Sequence, residues 1–429
     1  MGRPLLFLVG GMFIVVGIVQ SGTNNRHSLL HDRVIDYHSE LHAENAVNSV
    51  MDYALEEIIN DQDWTDGYHS PDYMDAEVTV EVFNHNHSDI PPNDIDTWDQ
   101  FTLLVHGTAV YGDKIARSEI HLRKNSFSQY SYFTDYEPSN IYFIWSDEVW
   151  GPVHTNGRFN IAGDPTFHGR VTSPEMWRGH GGYTNDPQFL SGSDFNAPER
   201  SPPSQLDLEI LRDAASSGGV EFDEEVEVEF LEGEKIRVME VDSGMEYELS
   251  LEGSNGVISS TEKISLRGSV DGSYTVHSTN DIFINGDVVY NDNPHDNPDS
   301  EDLLGIVSEQ NVRIERNAHQ YDGNSDIHVH ASIMALGNSF GAEDYNTGSP
   351  RGELHLLGGI IQERRAAVGT FSGSGISSGF SKQYRYDDRL QYLIPPSFPR
   401  ESVFSVEHWI TNVYPHQEDG DDSEEEPAI

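Results

Sequence analysis

The chain of 429 residues contains no cysteine, so disulfide bridges, thiolate metal sites and thiol nucleophiles are excluded. Basic residues are scarce as well: 25 Lys and Arg, of which five are Lys, stand against 73 Asp and Glu, and the net charge is -48. A surface this acidic repels nucleic acid and excludes it as a partner. Because salt screens the repulsion among carboxylates, the composition also predicts a halophilic protein.

Catalytic motifs are missing too. The sequence has no G-x-S-x-G nucleophile motif, no phosphate-binding glycine loop followed by Lys, and no H-E-x-x-H zinc motif. We therefore expect no enzyme and no cofactor, with a structural Ca²⁺ left as an open question. The 38 Gly, 20 Pro and 36% hydrophobic residues indicate a turn-rich, mainly β body with an adequate core.

An uncharged apolar run follows Arg3, and the next charge is Arg26. As a helix the uncharged stretch would reach about 30 Å, which predicts an uncleaved membrane anchor. A cleaved signal peptide ending near Ser21 is the alternative. The predicted anchor residues are Leu5, Leu6, Phe7, Leu8, Val9, Phe13, Ile14, Val15, Val16, Ile18 and Val19.

Apolar residues at helical spacing continue beyond this run. No Gly or Pro occurs from Thr23 to Asp66, and the pattern predicts one N-terminal helix ending near Asn60. Its apolar stripe needs a packing partner. A hydrophobic first half with an amphipathic second half is typical of pilin-like subunits. The predicted helix-packing residues are Leu30, Val34, Tyr37, Leu41, Val47, Val50, Ala54 and Ile58.

Residues 76–124 change to a period of two, which predicts a small antiparallel sheet packed on the helix. The C-terminal half carries a weak repeat in which two aliphatic positions recur, as in KISLRGSV from Lys263 and DIFINGDV from Asp281. This favours a parallel β-helix over a β-sandwich, because a small residue also recurs at one offset. The predicted inward ladders are Ile264, Ile282, Val312, Ile327 and Leu354, and beside them Leu266, Ile284, Ile314, Val329 and Leu356.

The predicted fold is therefore mainly β with a long N-terminal α-helix: a pilin-like helix plus a small antiparallel sheet, followed by a parallel β-helix-like domain. Four segments are expected: a membrane-anchoring helix at 1–60, the sheet at 61–130, the β-helix-like domain at 131–400, and a C-terminal segment at 401–429 with an acidic disordered tail. An acidic insertion at about 203–250 interrupts the third segment.

Several longer segments carry a family resemblance. They are GPVHTNGRFNIAG from Gly151, FHGRVTSP from Phe167, EDLLGIVSEQNVRI from Glu301, RGELHLLGGIIQERRAAVGTF from Arg351 and YRYDDRLQYLIPPSFP from Tyr384. With them the chain resembles a poorly characterised family of bacterial surface proteins similar to PilX-type, type IV pilus-assembly proteins. The resemblance implies a pilin-like anchor, an extracellular β-rich body and a role in pili or the cell envelope.

One position departs from the major-pilin pattern. If a prepilin leader ended at Gly2, the fifth residue after it would be Phe7, where a major pilin carries Glu. The missing carboxylate favours a minor, tip or envelope-anchored role over that of the repeating subunit.

Two groups of residues are candidate metal ligands. Asp322, Asn324 and Asp326 begin like a calcium loop, but Ile327 and Ile333 occupy the positions of its Gly and its bidentate acid, so only an isolated calcium clip remains open. His328 and His330 would share one face of a strand about 6.8 Å apart, which suits a metal with imidazole ligands. Exterior polar residues without a ligand are the alternative.

The sequence thus predicts a non-enzymatic extracellular structural protein, a minor pilin-like or envelope-filament subunit. We expect it at the cell surface, anchored in or assembled from the bacterial inner membrane, with other pilin-like subunits or copies of itself as partners. The alternatives are a calcium- or glycan-binding adhesin that contacts surface glycans and, less favoured, a polysaccharide-processing β-helix enzyme.

Overall fold

A computed structural model of the chain describes residues 3–86, 98–145, 147–321, 323, 325–372 and 375–416. For residues 3–11, 14, 22, 24–25, 27–29, 205–206 and 372 it describes the backbone alone. The predicted acidic tail therefore lies outside the described residues from position 417 onward. By its contacts the chain divides into two units, one of residues 1–124 with 403–429 and one of residues 125–402.

Within the described residues the elements follow in chain order. The first part comprises α1 (Arg3–Asn60), β1 (Tyr68–Tyr73), β2 (Ala76–Asn84), β3 (Thr102–Tyr111), β4 (Lys114–Arg123), β5 (Tyr132–Tyr136), β6 (Phe143–Ile144), β7 (Glu148–Val149), β8 (Val153–Thr155), β9 (Asn160–Ala162), β10 (Thr166–Phe167), β11 (Val171–Thr172), β12 (Arg178–Gly179), β13 (Gln188–Phe189) and β14 (Ser193–Asp194). The second part comprises α2 (Gln205–Gly218), β15 (Val220–Phe222), β16 (Val226–Leu231), β17 (Lys235–Glu240), β18 (Glu246–Ser250), β19 (Val257–Ser260), β20 (Ile264–Val270), β21 (Ser273–Ser278), β22 (Ile282–Tyr290), β23 (Leu303–Ser308), β24 (Val312–Ile314), β25 (Ile327–Ala335), β26 (Phe340–Ala342), β27 (Pro350–Arg364), β28 (Gly369–Ser372), β29 (Gly375–Arg385) and β30 (Ser405–Pro415).

The first unit is a long helix on a small antiparallel sheet, as predicted. The sheet has the order β1-β2-β3-β4-β30, and each neighbouring pair is antiparallel. Alternate residues of β2, Val78, Val80 and Val82, are buried toward α1, which is the period of two expected for a strand with one buried face. The C-terminal segment contributes the strand β30 to this sheet, paired with β4 along its length.

The second unit is built mainly from parallel strand pairs. One run of such pairs leads from β15 through β19, β21, β23, β25 and β27. It then returns to earlier sequence and continues through β5, β8, β11 and β14. The segment 132–194 is therefore stacked beyond β27 rather than before β15, an order that the sequence repeat did not predict.

The predicted inward ladders are buried at all ten positions. Ile264 lies opposite Ile282 and Ile282 opposite Val312, in parallel register, and Ile327 lies opposite Leu354. The predicted step from Val312 to Ile327 is wrong: Val312 pairs with Phe340 on β26 instead. The physical reason is the length of β22, which pairs with β24 near its start and with β25 near its end.

The sheets of this unit are mixed, and the described structure does not by itself establish a parallel β-helix. β17 and β18 add antiparallel strands beside β16, and β28 is antiparallel to β29. The acidic insertion forms α2 and the antiparallel hairpin of β16 and β17. Instead of interrupting the stack, however, its strand β16 extends the stack in parallel with β20.

Candidate functional site

The C-terminal third of α1 is packed against its own sheet. Val47, Val50, Met51 and Ala54 are fully buried, with Ile58 almost so, in one core with β2, β3 and β4. Helix and sheet approach closely where Gly107 of β3 leaves room: a Cβ there would lie 2.4 Å from Met51 Sδ and 3.1 Å from Val47 Cγ2. Burial at this level contributes about 1.5–3 kcal/mol for each large apolar side chain.

Polar contacts hold the middle of the helix to the turn between β3 and β4. The Lys114 ammonium lies 2.9 Å from Asp36 Oδ1 and 3.5 Å from Glu40 Oε1. The hydrogen bond to Asp36 raises the pKa of Lys114, so the ammonium stays charged at neutral pH. His42 Nε2 also lies 2.6 Å from the Met74 carbonyl oxygen, and its ring contacts Tyr111 at 4.1 Å between centroids.

The preceding part of α1 presents apolar side chains to solvent. We call Leu30, Val34, Tyr37 and Leu41 the exposed stripe; their exposed fractions are 58%, 65%, 66% and 41%. At 3.6 residues per turn, their spacing of four, three and four residues keeps them on one side of the helix. That side faces away from Ala43 and Ala46, the first apolar residues that pack on the sheet. The exposed stripe is therefore not a continuation of the internal core.

The structure divides the predicted helix-packing residues into two sets. Val47, Val50, Ala54 and Ile58 contact the chain's own sheet and are not available to a neighbouring molecule. The exposed stripe contacts nothing that would cover it in the described part of the chain. The helical phase separates the two sets, because the six residues from Leu41 to Val47 turn the helix by about 240°. The spacing did not indicate which set packs on the sheet.

The predicted membrane anchor is only partly described. Phe13, Val15, Val16, Ile18 and Val19 are exposed on α1. The side chains of Leu5, Leu6, Phe7, Leu8, Val9 and Ile14 lie outside the described ones. Within the described residues, no helix is long and apolar enough to cross a membrane.

The candidate metal ligands lie apart from one another or serve other contacts. Asp322 and Asn324 are outside the described residues, and Asp326 Oδ1 accepts a hydrogen bond of 2.8 Å from the Glu353 N–H. His328 stacks on His355 with 4.6 Å between ring centroids, and its Nδ1 lies 3.5 Å from Asp287 Oδ2. The described residues contain no group of three or more His, Asp and Glu placed to hold a metal ion.

His330 is turned to the protein rather than to a ligand. Its Nδ1 accepts a hydrogen bond of 3.1 Å from the Tyr290 N–H, and its ring contacts Tyr290 at 5.1 Å. Burial lowers the pKa of His330 to about 4. The imidazole is therefore neutral at physiological pH, with Nδ1 already occupied.

Sequence reasoning missed two features of the second unit. One is a buried ion pair, Arg365 with Glu137 at 3.4 Å, in which Glu137 also accepts hydrogen bonds of 2.7 Å from the Tyr132 and Thr134 hydroxyls. The other feature is a group of aromatic rings at the surface: Tyr142, Trp145, His180 and Tyr183.

Comparisons with known proteins add a limited family match. Residues 105–175 match the family described as "Domain of unknown function (DUF4900)". The match covers less than half of the chain and names no activity.

No curated protein matches the chain in sequence. Among solved structures, the competence-associated pilin ComZ from Thermus thermophilus overlaps it with a TM-score of 0.34 and 11% identity, over 88% of this chain and 98% of that one. At that TM-score the likeness carries no argument about fold or function.

Proposed function

We propose that the protein is a non-enzymatic, extracellular structural subunit of a pilus or envelope filament, of the minor-pilin type. The observation that carries the proposal is the division of α1: one part is buried on the chain's own sheet, while the exposed stripe faces solvent. A helix fixed to a globular head and bare on its other side is suited to pack laterally against helices of neighbouring subunits.

The occupant that fits the exposed stripe is another amphipathic helix, from a pilin-like subunit or from a second copy of this chain. Leu30, Val34, Tyr37 and Leu41 recur at the spacing by which helices interdigitate side by side. The net charge of -48 opposes association at low ionic strength, so the apolar stripe must supply the attraction.

We also infer that the second unit is a parallel β-helix. The support is the register of the buried ladders, in which aliphatic residues lie on aliphatic residues through β20, β22 and β24. Stacked rungs of this kind make a stiff body, which suits a surface appendage.

The test replaces two stripe residues in the full-length chain, in the cells that produce it. Val34→Ser with Tyr37→Ser removes apolar contact without adding charge, and it should cost about 1.5–3 kcal/mol per side chain at the subunit contact. Appendages are sheared off, imaged by cryo-electron microscopy, and assayed for this chain in filament and cell-body fractions. We expect the variant to be absent from the filament fraction, while its circular dichroism spectrum stays the same as that of the unmodified chain.

The matched control is Asp32→Ser, an exposed residue on the opposite side of the same helix. It should leave the filament fraction unaltered. If the unmodified chain never enters sheared filaments, or if the stripe variant enters them as well as the control does, the proposed function is wrong.

A further inference from the structure

The rungs built by 142–186 carry aromatic rings at their surface instead of the polar residues expected there. We call Tyr142, Trp145, His180 and Tyr183 the aromatic patch. Tyr142 contacts His180 at 5.0 Å, His180 contacts Tyr183 at 4.9 Å, and Tyr183 contacts Trp145 at 5.9 Å between ring centroids. Trp145 and Tyr183 are each 51% exposed, so the rings pack on one another without being buried.

The strand register explains how the rings meet. β9 lies between β6 and β12, with Phe143 and Gly179 on either side of Ile161. Between the two aromatic segments, the chain of β9 carries only small residues, Ala162 and then Gly163, where the patch crosses it. Gly163 is required there: its φ is +96°, and a Cβ would lie 3.1 Å from Trp145 Cβ.

Hydrogen bonds hold the loop that bears half of the patch. The Asn185 amide donates to the carbonyl oxygens of His180 and Tyr183, at 3.0 Å each, and its Oδ1 accepts from the Gly163 N–H at 3.2 Å. The Gly182 N–H donates to His180 Nδ1 at 3.1 Å. The rings are therefore set in place before any ligand arrives, which lowers the entropy cost of binding.

The patch combines apolar faces with polar edges. With His180 Nδ1 accepting from Gly182, the neutral ring carries its proton on Nε2 and can donate, as can the Trp145 indole and the two phenols. Rings inclined by 43°, 56° and 74° to one another form a surface with several facets rather than a single plane. Such side chains suit a ligand whose apolar faces alternate with hydroxyl groups.

Charge narrows the choice of ligand. The bases of a nucleic acid could stack on these rings. However, a net charge of -48 repels nucleic acid and other polyanions. Neutral sugar rings have apolar faces of C–H groups and hydroxyl groups at their edges, and they carry no charge that the protein would repel. We propose that the aromatic patch binds a neutral polysaccharide, with the sugar faces on Trp145 and Tyr183 and the hydroxyls at the polar edges.

The experiment uses the purified full-length chain and three neutral polymers: hydroxyethyl cellulose, laminarin and galactomannan, with alginate as the anionic comparison. Binding is followed by affinity electrophoresis in gels that contain each polymer and by tryptophan fluorescence. We expect retardation by at least one neutral polymer and none by alginate. Trp145→Ala and Tyr183→Ala should each weaken binding about tenfold, whereas Tyr183→Phe should retain most of it.

The matched control is Tyr392→Ala, a tyrosine of the same unit that is 69% exposed and outside the patch. It should bind as the unmodified chain does. The proposal is overturned if no neutral polymer retards the unmodified chain, or if Tyr392→Ala weakens binding as much as Tyr183→Ala. It is also overturned if the patch variants lose entry into filaments without any polymer binding, because the patch is then a protein contact. Polymer binding by the unmodified chain, lost in the patch variants, would support this site even if the chain never enters filaments. The two proposals can therefore fail separately.

Discussion

We expect the Gly107→Ala substitution to destabilise the packing of α1 on its sheet. The added methyl carbon would lie 2.4 Å from Met51 Sδ, 3.0 Å from Met51 Cγ and 3.1 Å from Val47 Cγ2. Both neighbours are fully buried, so neither side chain can move aside into solvent. The helix or the strand must shift instead.

The magnitude follows from two opposing terms. Overpacking a core by a methyl group costs about 1–3 kcal/mol, and the flexible Met51 side chain keeps the cost below the upper end. Replacing Gly also reduces the freedom of the unfolded chain, which offsets about 0.4–1 kcal/mol. The net loss of stability is therefore about 0.5–2 kcal/mol.

Hydrogen exchange read by mass spectrometry measures this loss where it occurs. Amides in the part of α1 that carries Val47, Val50 and Ala54 should exchange about 2- to 30-fold faster, since 1.4 kcal/mol is a factor of ten. The control is Gly181→Ala, because a Cβ at Gly181 meets nothing within 4 Å. It should leave exchange in α1 unchanged.

A double-mutant cycle then identifies the contact responsible. Met51→Ala alone leaves a cavity and costs about 2–5 kcal/mol. In the Gly107→Ala background it also removes the clash, so its cost should be smaller by about 1 kcal/mol. Unchanged exchange in Gly107→Ala, or an equal cost of Met51→Ala in both backgrounds, would refute the reasoning.

Two further predictions concern buried charge and buried histidine. Glu137→Ala leaves the Arg365 guanidinium buried without its carboxylate and should lower the free energy of unfolding in urea by about 3–5 kcal/mol. Glu175→Ala, which breaks an exposed pair with Arg158, should cost at most about 1 kcal/mol. Equal losses would contradict the assignment. Burial lowers the pKa of His154 from 6.5 to about 4, so the folded state favours the neutral ring, and the resulting stability is present above pH 6.5 and is lost as the pH falls toward 4. That loss of stability should reach roughly 3 kcal/mol at full protonation and should be smaller in His154→Gln. Urea unfolding from pH 7 to pH 4 measures it. If the free energy of unfolding changes with pH equally in both proteins, the assignment to His154 is wrong.

The parts of the fold that the sequence predicted are those governed by local periodicity. α1 ends at Asn60, as expected, and the small antiparallel sheet follows from the alternation of Val78, Val80 and Val82. The ten ladder positions were found because aliphatic residues at a period of two, repeated at one offset, have few arrangements that bury all of them.

The parts that were missed depend on contacts distant in sequence. β6 and β12 are two residues long, too short for any period, so the rings of Tyr142 and His180 meet only because of strand stacking. The pairing of β27 with β5 brings together residues more than two hundred positions apart without a local signal. Likewise, one Glu among 73 acidic residues could not be chosen as the partner of Arg365.

The placement of the scarce basic residues connects the charge of the chain to its two exposed apolar surfaces. Of the four buried carboxylates in the described part, Glu137, Asp387 and Glu401 each pair with an Arg, and Asp302 accepts two backbone N–H groups. The interior is thus neutralised locally, and the excess negative charge lies at the surface, where salt screens it. Under the high salt that the composition predicts, ionic attraction between molecules is weak and apolar attraction remains. The exposed stripe and the aromatic patch both offer apolar attraction. Association through either surface is therefore compatible with so acidic a chain.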